Sequence, residues 1–356
     1  MGLGVGFKPA FPIRPTGLRR RILHAIEAGL YWTGAGALYV GSFRPRGAAI
    51  LGYHSVPDSS IRRWIDPRYA VPLEIFEAQM EFLARRRKVA GMSDLMVALE
   101  RGESAEPGTV VLTFDDGYRD TLELAAPVLE RHGFPAILYL ATGNVTRGEN
   151  QWIDRLYSIF QLRTIHRLRI DGPDQSPLDL GSEGALFEAY DAIAGRLLVA
   201  DGSERERLLA EVEAQLRPRE RAPRLTLSWD EVRELLRRYP GFEIGVHTRG
   251  HADLTSCGEE AARAELDSSI ADVTRELGVE VKHLSYPYGR SNARVQEMVA
   301  AASLRSAVVG EPGSLIRPGT DRFAMPRIEV GPEMTRFRWQ TCGAYPDLPR
   351  ALLGRR

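Results

Sequence analysis

VVLTFDDGYRD, residues 110–120, carries an apolar run of Val110, Val111, Leu112 and Phe114 that stops on two adjacent carboxylates, Asp115 and Asp116. Gly117 then turns the chain, and an amphipathic pattern continues from Tyr118 to His132. A short apolar run bounded by a turn and followed by helical periodicity reads as a buried strand feeding a helix. Neighbouring carboxylates repel each other, and at the end of a buried strand that repulsion is poorly screened. The pair therefore asks for a metal ion, a shared proton or a phosphate acceptor, unless it is a solvated turn, for which Asp-Asp-Gly is good chemistry.

Outward from this stretch the same alternation repeats. Strands are expected at 48–56, 109–113, 136–141, 242–247, 281–286, 306–309 and 325–330, and helices at 73–87, 118–132, 229–238, 261–277 and 292–302. Ser228 with Glu231 three residues on predicts a capping box. Strands separated by helices imply βαβ units and a largely parallel sheet, open or closed into a barrel. Between about Gly148 and Arg224 the strand rhythm lapses, and helical patterns at 186–198 and 204–216 read as an insertion on the α/β core. Arg217, Arg219, Arg221 and Arg224, interrupted by Glu220, read as a solvated surface.

The chain has 356 residues, 44% hydrophobic and 26% charged, which fits a soluble globular protein and excludes wholesale disorder. Lysine plus arginine equals aspartate plus glutamate at 47 each, so no global field draws nucleic acid. Two cysteines, Cys257 and Cys342, make neither a disulfide framework nor a zinc-finger spacing. Residues 1–47 form an N-terminal segment in which Arg19–Arg21 precede the uncharged run 28–43. That run is shorter than the roughly 20 residues of a spanning helix. The stripe of Ile22, Leu23, Ile26 and Leu30 favours a packed helix, then peripheral membrane contact, then a cleaved signal. Localisation is undetermined, with a cytoplasmic or membrane-associated place favoured over secretion. Residues 48–345 are read as one α/β domain that carries the insertion and 346–356 as a tail.

A second stretch, FEIGVHTRGHADLT, places His247 and His251 four apart after another short apolar run. A helical turn there would set both imidazoles on one face, whereas the bland reading is two exposed loop histidines. Both this pair and the aspartates follow predicted strands, and in parallel α/β folds the carboxyl ends of the strands share one face. One carboxylate and two imidazoles then make a facial metal triad with open positions. A receiver domain also gathers carboxylates at strand ends, but it is far shorter than this chain and leaves the histidines unexplained. In LSYPYGRSN, residues 284–292, the backbone N–H of Tyr288 is placed to stabilise an oxyanion, or the segment is only a strand-to-helix turn. In LGYHSVP, His54 ends an apolar strand, where a single histidine is more often a structural hydrogen-bonding group.

TFDDGY, HTRGH and YPYG in this order resemble the polysaccharide deacetylase family, carbohydrate esterase family 4. LGYHSV before them and FAMPRIEV after them resemble flanking signatures of a bacterial branch, and the resemblance spans about residues 48–331. It implies a distorted or incomplete (β/α) barrel with a helical insertion. It also implies Asp115 as general base, Asp116, His247 and His251 as metal ligands, Thr248 as support for the histidine loop and Tyr288 as the oxyanion N–H. Zinc is the default divalent ion, with iron, cobalt or nickel compatible with the same ligands. Two positions depart from the pattern. Ser285 stands where the family often carries an arginine that orients the base, and Arg327 is expected to return a guanidinium to Asp115 instead. The late histidine is absent, His283 being the one histidine after 251, so His54 is expected as general acid. The implied reaction is removal of N-acetyl or O-acetyl groups from a glycan, with Trp152 the expected sugar contact among Trp64, Tyr118, Trp152 and Tyr286. Competing readings are a non-catalytic glycan-binding protein on this scaffold, suggested by Ser285, and a metal-dependent hydrolase of a non-sugar amide or imide. A membrane-surface assembly factor rests on the N-terminal stripe alone.

Overall fold

A computed structural model describes residues 46–169, 177–310 and 315–341. The readings made for residues 1–45, for Cys342 and for the tail lie outside the described residues. Among those described, no helix is long and apolar enough to cross a membrane.

The strands are β1 (Ala48–Tyr53), β2 (Lys88–Ala90), β3 (Thr109–Phe114), β4 (Ala136–Leu140), β5 (Arg167–Leu168), β6 (Leu178–Asp179), β7 (Phe242–Val246), β8 (His283–Ser285), β9 (Ser306–Val309), β10 (Met325–Pro326) and β11 (Ile328–Glu329). The helices are α1 (Leu73–Arg86), α2 (Met92–Glu100), α3 (Ala126–His132), α4 (Thr142–Arg147), α5 (Trp152–Leu162), α6 (Glu183–Val199), α7 (Gly202–Leu216), α8 (Trp229–Arg238), α9 (Glu259–Leu277), α10 (Ala293–Ala301) and α11 (Met334–Gln340). The main sheet runs β10-β9-β8-β7-β4-β3-β1-β11, with β2 on the lower half of the β3 edge that β4 occupies above it. Every pairing in it is parallel.

The expected single strand 325–330 is instead two short ones, because its halves pair with opposite ends of the sheet. Met325 and Pro326 pair with β9, Ile328 and Glu329 pair with β1, and only Arg327 separates them. This seam draws the sheet into a nearly closed barrel. The expected helix 118–132 also differs: Thr121–Ala125 is a π turn that leads into α3. Pro127, which has no N–H to give to the turn before it, sits at the start of α3 and accounts for the widening. The capping box forms, with Ser228 Oγ accepting from Glu231 N–H and Glu231 accepting from Ser228 N–H.

Strands covered on both faces lose the alternation of apolar and polar residues, and β1, β3 and β4 are buried throughout. Alternation survives in where the side chains go. Leu51, Tyr53, Leu112, Phe114 and Leu138 join the large cluster beneath the helices. Ala48, Ile50, Val111, Ile137 and Tyr139 join a smaller cluster with Met92 and Leu95 of α2. Continuing that second set by steps of two reaches His54 and Asp115 at the strands' carboxyl ends, and on β7 the residues that pair with Ile137 and Tyr139, Glu243 and Gly245, lead by the same step to His247. The period of the strand therefore delivers the polar residues to the barrel mouth.

The insertion, α5 through α7 with the antiparallel β5–β6 pair, has its own hydrophobic cluster including Leu156, Phe160, Tyr190, Leu197 and Leu209. It is tied to the barrel through buried polar contacts: Tyr118 Oη donates to Asp154 (2.5 Å), Tyr190 Oη to Asp66 (2.5 Å) and Asp66 N–H to Asp154 (3.0 Å). Burial pushes the Asp154 carboxyl up to about 7.

Candidate active site

Asp115 and Asp116, read as neighbours with one purpose, have unlike surroundings. The Asp115 carboxylate accepts two hydrogen bonds from Arg327, Nη1 to Oδ1 at 2.8 Å and Nη2 to Oδ2 at 2.5 Å. Ser285 Oγ donates a third at 3.2 Å. Burial would raise its pKa, but the charge and hydrogen bonds of Arg327 hold it well below the ordinary carboxylate range. Asp116 has a left-handed backbone, φ 71°, and its carboxylate is not among the groups that the Arg327 guanidinium bonds. It accepts from Gln151 Nε2 at 3.0 Å. Burial, then the charge of Asp115, pushes its pKa well up.

The two histidines converge on Asp116: His251 Nε2 lies 3.4 Å and His247 Nε2 3.7 Å from its Oδ1. One donor atom from each of the three residues falls within 4.8 Å of the others. No helical turn brings them together, contrary to the spacing argument. The segment after β7 is irregular, with left-handed backbone at Thr248 (φ 59°) and His251 (φ 54°), and Thr248 Oγ1 accepts from Ala252 N–H to brace it. His247 Nδ1 lies 2.6 Å from the Ser285 carbonyl, which can only accept, so Nδ1 carries the proton and Nε2 presents its lone pair. Burial lowers the pKa of both imidazoles and keeps them neutral.

These residues fit a divalent cation. A carboxylate enclosed with no cationic side chain bonded to it costs several kcal/mol as a buried ion, and the two neutral imidazoles beside it offer lone pairs instead of a counter-charge. A buried leucine, by contrast, gains about 1.5–3 kcal/mol. Stability alone does not select this layer. Four of the six non-glycine residues with positive φ among the described residues, Asp116, Thr248, His251 and Tyr288, belong to it. Such strain, about 1–3 kcal/mol per residue, persists where the surroundings over-determine it.

Around the cluster, His54 is half-buried, with Nε2 4.0 Å from Asp115 and Nδ1 3.9 Å from Glu329. Tyr288 (φ 58°) lays its ring against His251 at 4.7 Å between centroids. Arg327 lies across Gly52, where a Cβ would come within 2.7 Å of its Nε. A cavity of about 330 Å³ opens over these groups, lined also by Tyr69, Trp152, Leu198, Tyr286 and Glu329. Of the four aromatics considered for sugar contact, Trp152 and Tyr286 line it. Trp64 and Tyr118 do not: both are buried in a separate cluster that also holds Leu162 and Leu225. His283 lies at the other end of β8 beside Ser93 and Ser306, and burial pushes its pKa down to about 3, so it stays neutral there.

Three residues of the site escaped the sequence reading. Gln151 bonds Asp116. Glu329 Oε1 accepts from Arg327 Nε at 3.0 Å. Asp120 accepts from Ser55 Oγ and from Val56 N–H (3.0 Å), fixing the chain just after His54, while burial pushes its carboxyl up to about 7. Asp120 and Glu329 stood inside quoted motifs, DDGYRD and PRIEV. Nothing local marked Gln151.

The profile of the family described as "Polysaccharide deacetylase" matches residues 102–307. The "Putative polysaccharide deacetylase YxkH" of Bacillus subtilis (strain 168) is 26% identical over 156 residues, 41% of this chain and 53% of that protein. The chain thus matches about half the length of this relative. Among solved structures, the Streptococcus pyogenes deacetylase PplD in complex with acetate superposes with a TM-score of 0.56 at 17% identity, over 84% of this chain and 99% of that one. IcaB from Ammonifex degensii gives 0.53 at 16% identity, over 84% and 98%. These likenesses establish a shared barrel.

Proposed function

Because the chain belongs to the polysaccharide deacetylase family, we propose that it is a metal-dependent hydrolase that removes acetyl groups from a glycan. The observation that carries the reading is the division of labour between two adjacent carboxylates. Asp116 faces His247 and His251, while Asp115, 3.7 Å from His247 Nε2, is held out of that set by Arg327.

Asp116, His247 and His251 would hold the ion, zinc by default, which when bound supplies Lewis acidity toward water and the acetyl carbonyl. Asp115 takes the water's proton as general base. Its ionised state at neutral pH suits that role, and the two-pronged grip of Arg327 fixes its direction. Arg327 thereby does from the barrel seam what the family arginine, replaced here by Ser285, does from its own position. The Tyr288 N–H is the donor assigned to the oxyanion, its left-handed backbone setting its direction. His54, between Asp115 and Glu329, gives a proton to the departing sugar nitrogen or oxygen. The Ser285 position, which suggested a non-catalytic relative, does not favour that reading once Arg327 reaches Asp115.

The test is acetate release from N-acetylglucosamine oligomers and from O-acetylated oligosaccharides; release from neither overturns the proposal, and the ratio assigns amide or ester preference. A second expected result concerns the metal alone. Gln151→Ala removes the hydrogen bond to Asp116 and should weaken zinc affinity by about 10–100-fold, read by competition with a chromophoric chelator. An unchanged affinity would remove Gln151 from the account.

A further inference from the structure

Resting on the deacetylase reading, we propose that the site takes a single or chain-terminal acetylated sugar, not an internal residue of a long glycan threaded across it. Trp152, the first residue of α5, stands as a partition. On one side is the cavity of about 330 Å³ over Asp115 and Asp116. On the other is a separate cavity of about 350 Å³, lined by Asn144, Arg147, Asn150, Arg155 and Arg205. Gln151 and Trp152 line both.

The indole is fixed from two directions. Its Nε1 donates to Tyr288 Oη at 3.1 Å, which joins the insertion to the loop after β8 across the mouth. Behind it the Arg205 guanidinium lies 5.5 Å from the ring centroid. Arg205 is itself buried and anchored, Nε to the Leu197 carbonyl at 2.9 Å and Nη2 to that of Ala200 at 3.0 Å. Those carbonyls end α6, and Leu198 between them lines the first cavity. The C-terminal end of α6, Trp152 and Tyr288 thus form a continuous wall on the side where a glycan chain would otherwise run on.

The enclosed space is at the low end of ligand pockets, about 300–1,000 Å³, and suits one sugar ring with its acetyl group. Tyr69, Val71, Ile153 and Leu198 offer apolar surface to the ring faces, while the acetyl group is directed to the aspartates. A glycan chain cannot cross the wall while one of its sugars occupies the site, so the cavity behind Trp152 adds nothing to transition-state binding of a longer substrate.

The experiment compares kcat/KM for acetate release across N-acetylglucosamine oligomers from dimer to hexamer, with mass-spectrometric mapping of the deacetylated residue. The wild type should vary by less than about threefold with length and deacetylate a terminal residue. Trp152→Ala should add internal products on the hexamer, and Tyr288→Phe, which removes the hydroxyl but keeps the backbone N–H, should do so to a smaller extent. A wild-type rise of about tenfold or more with length, or internal products from the wild type, overturns the inference and leaves the deacetylase reading standing. No acetate from oligomers of any length overturns both.

Discussion

Asp115→Asn should lower kcat/KM for acetate release by about 10²–10⁴-fold, the range that general-base catalysis supplies, while the protein keeps its metal. The two aspartates are adjacent, so a non-specific disturbance would affect both functions. The geometry separates them: Asp115 is bonded to Arg327 and Ser285, and Asp116 faces the histidines and Gln151. Asparagine preserves the side-chain volume, and Arg327 retains Glu329 as a counter-charge. The loss should therefore appear in kcat with little change in zinc affinity. Metal lost together with activity would show that the division between the two carboxylates is wrong.

Arg327→Ala should cost both stability and rate. It leaves Asp115 buried without its guanidinium, and breaking a buried pair in this way costs about 3–5 kcal/mol. The same side chain sits at the seam, between the two residues paired with β9 and the two paired with β1. A weaker closure and a loosened base follow from one substitution. Misplacement of a catalytic group by about 1 Å is worth about 10²-fold, so kcat should fall by that order while KM changes little. Arg327→Lys keeps the charge but not the two-pronged geometry. It should recover most of the stability, read by denaturant unfolding, and only part of kcat. Full activity in Arg327→Ala would end the orienting role.

The sequence carried the strands well where they are buried on both faces, and Ser306–Val309 and Trp229–Arg238 stand where the pattern put them. The aspartates, the histidines and YPYG were readable because each motif ends a strand, and parallel strands share a carboxyl-end face. The means by which they converge was less legible. His247 and His251 meet through left-handed loop residues, since positive φ at Thr248 and His251 has no signature in residue type. That Arg327 reaches Asp115 depends on barrel closure, which brings residues 212 positions apart into contact. Gln151 and Trp152 belong to an insertion whose helix α5 went unread, and their partners, Asp116 and Tyr288, lie on separate loops of the barrel. Contacts of this range follow from how the insertion packs on the barrel, which no local pattern encodes.

The central claim is that a metal held by Asp116, His247 and His251 and a base at Asp115 together release acetate from a glycan. Its most direct test is acetate release from N-acetylglucosamine oligomers by the wild type and Asp115→Asn, each stripped with chelator and reloaded with zinc, with metal content measured alongside. The account predicts equal metal content in the two reloaded proteins, turnover in the wild type that depends on reloading, and turnover about 10²–10⁴-fold lower in zinc-loaded Asp115→Asn. Equal turnover in stripped and reloaded wild type, or undiminished turnover in zinc-loaded Asp115→Asn, would contradict it.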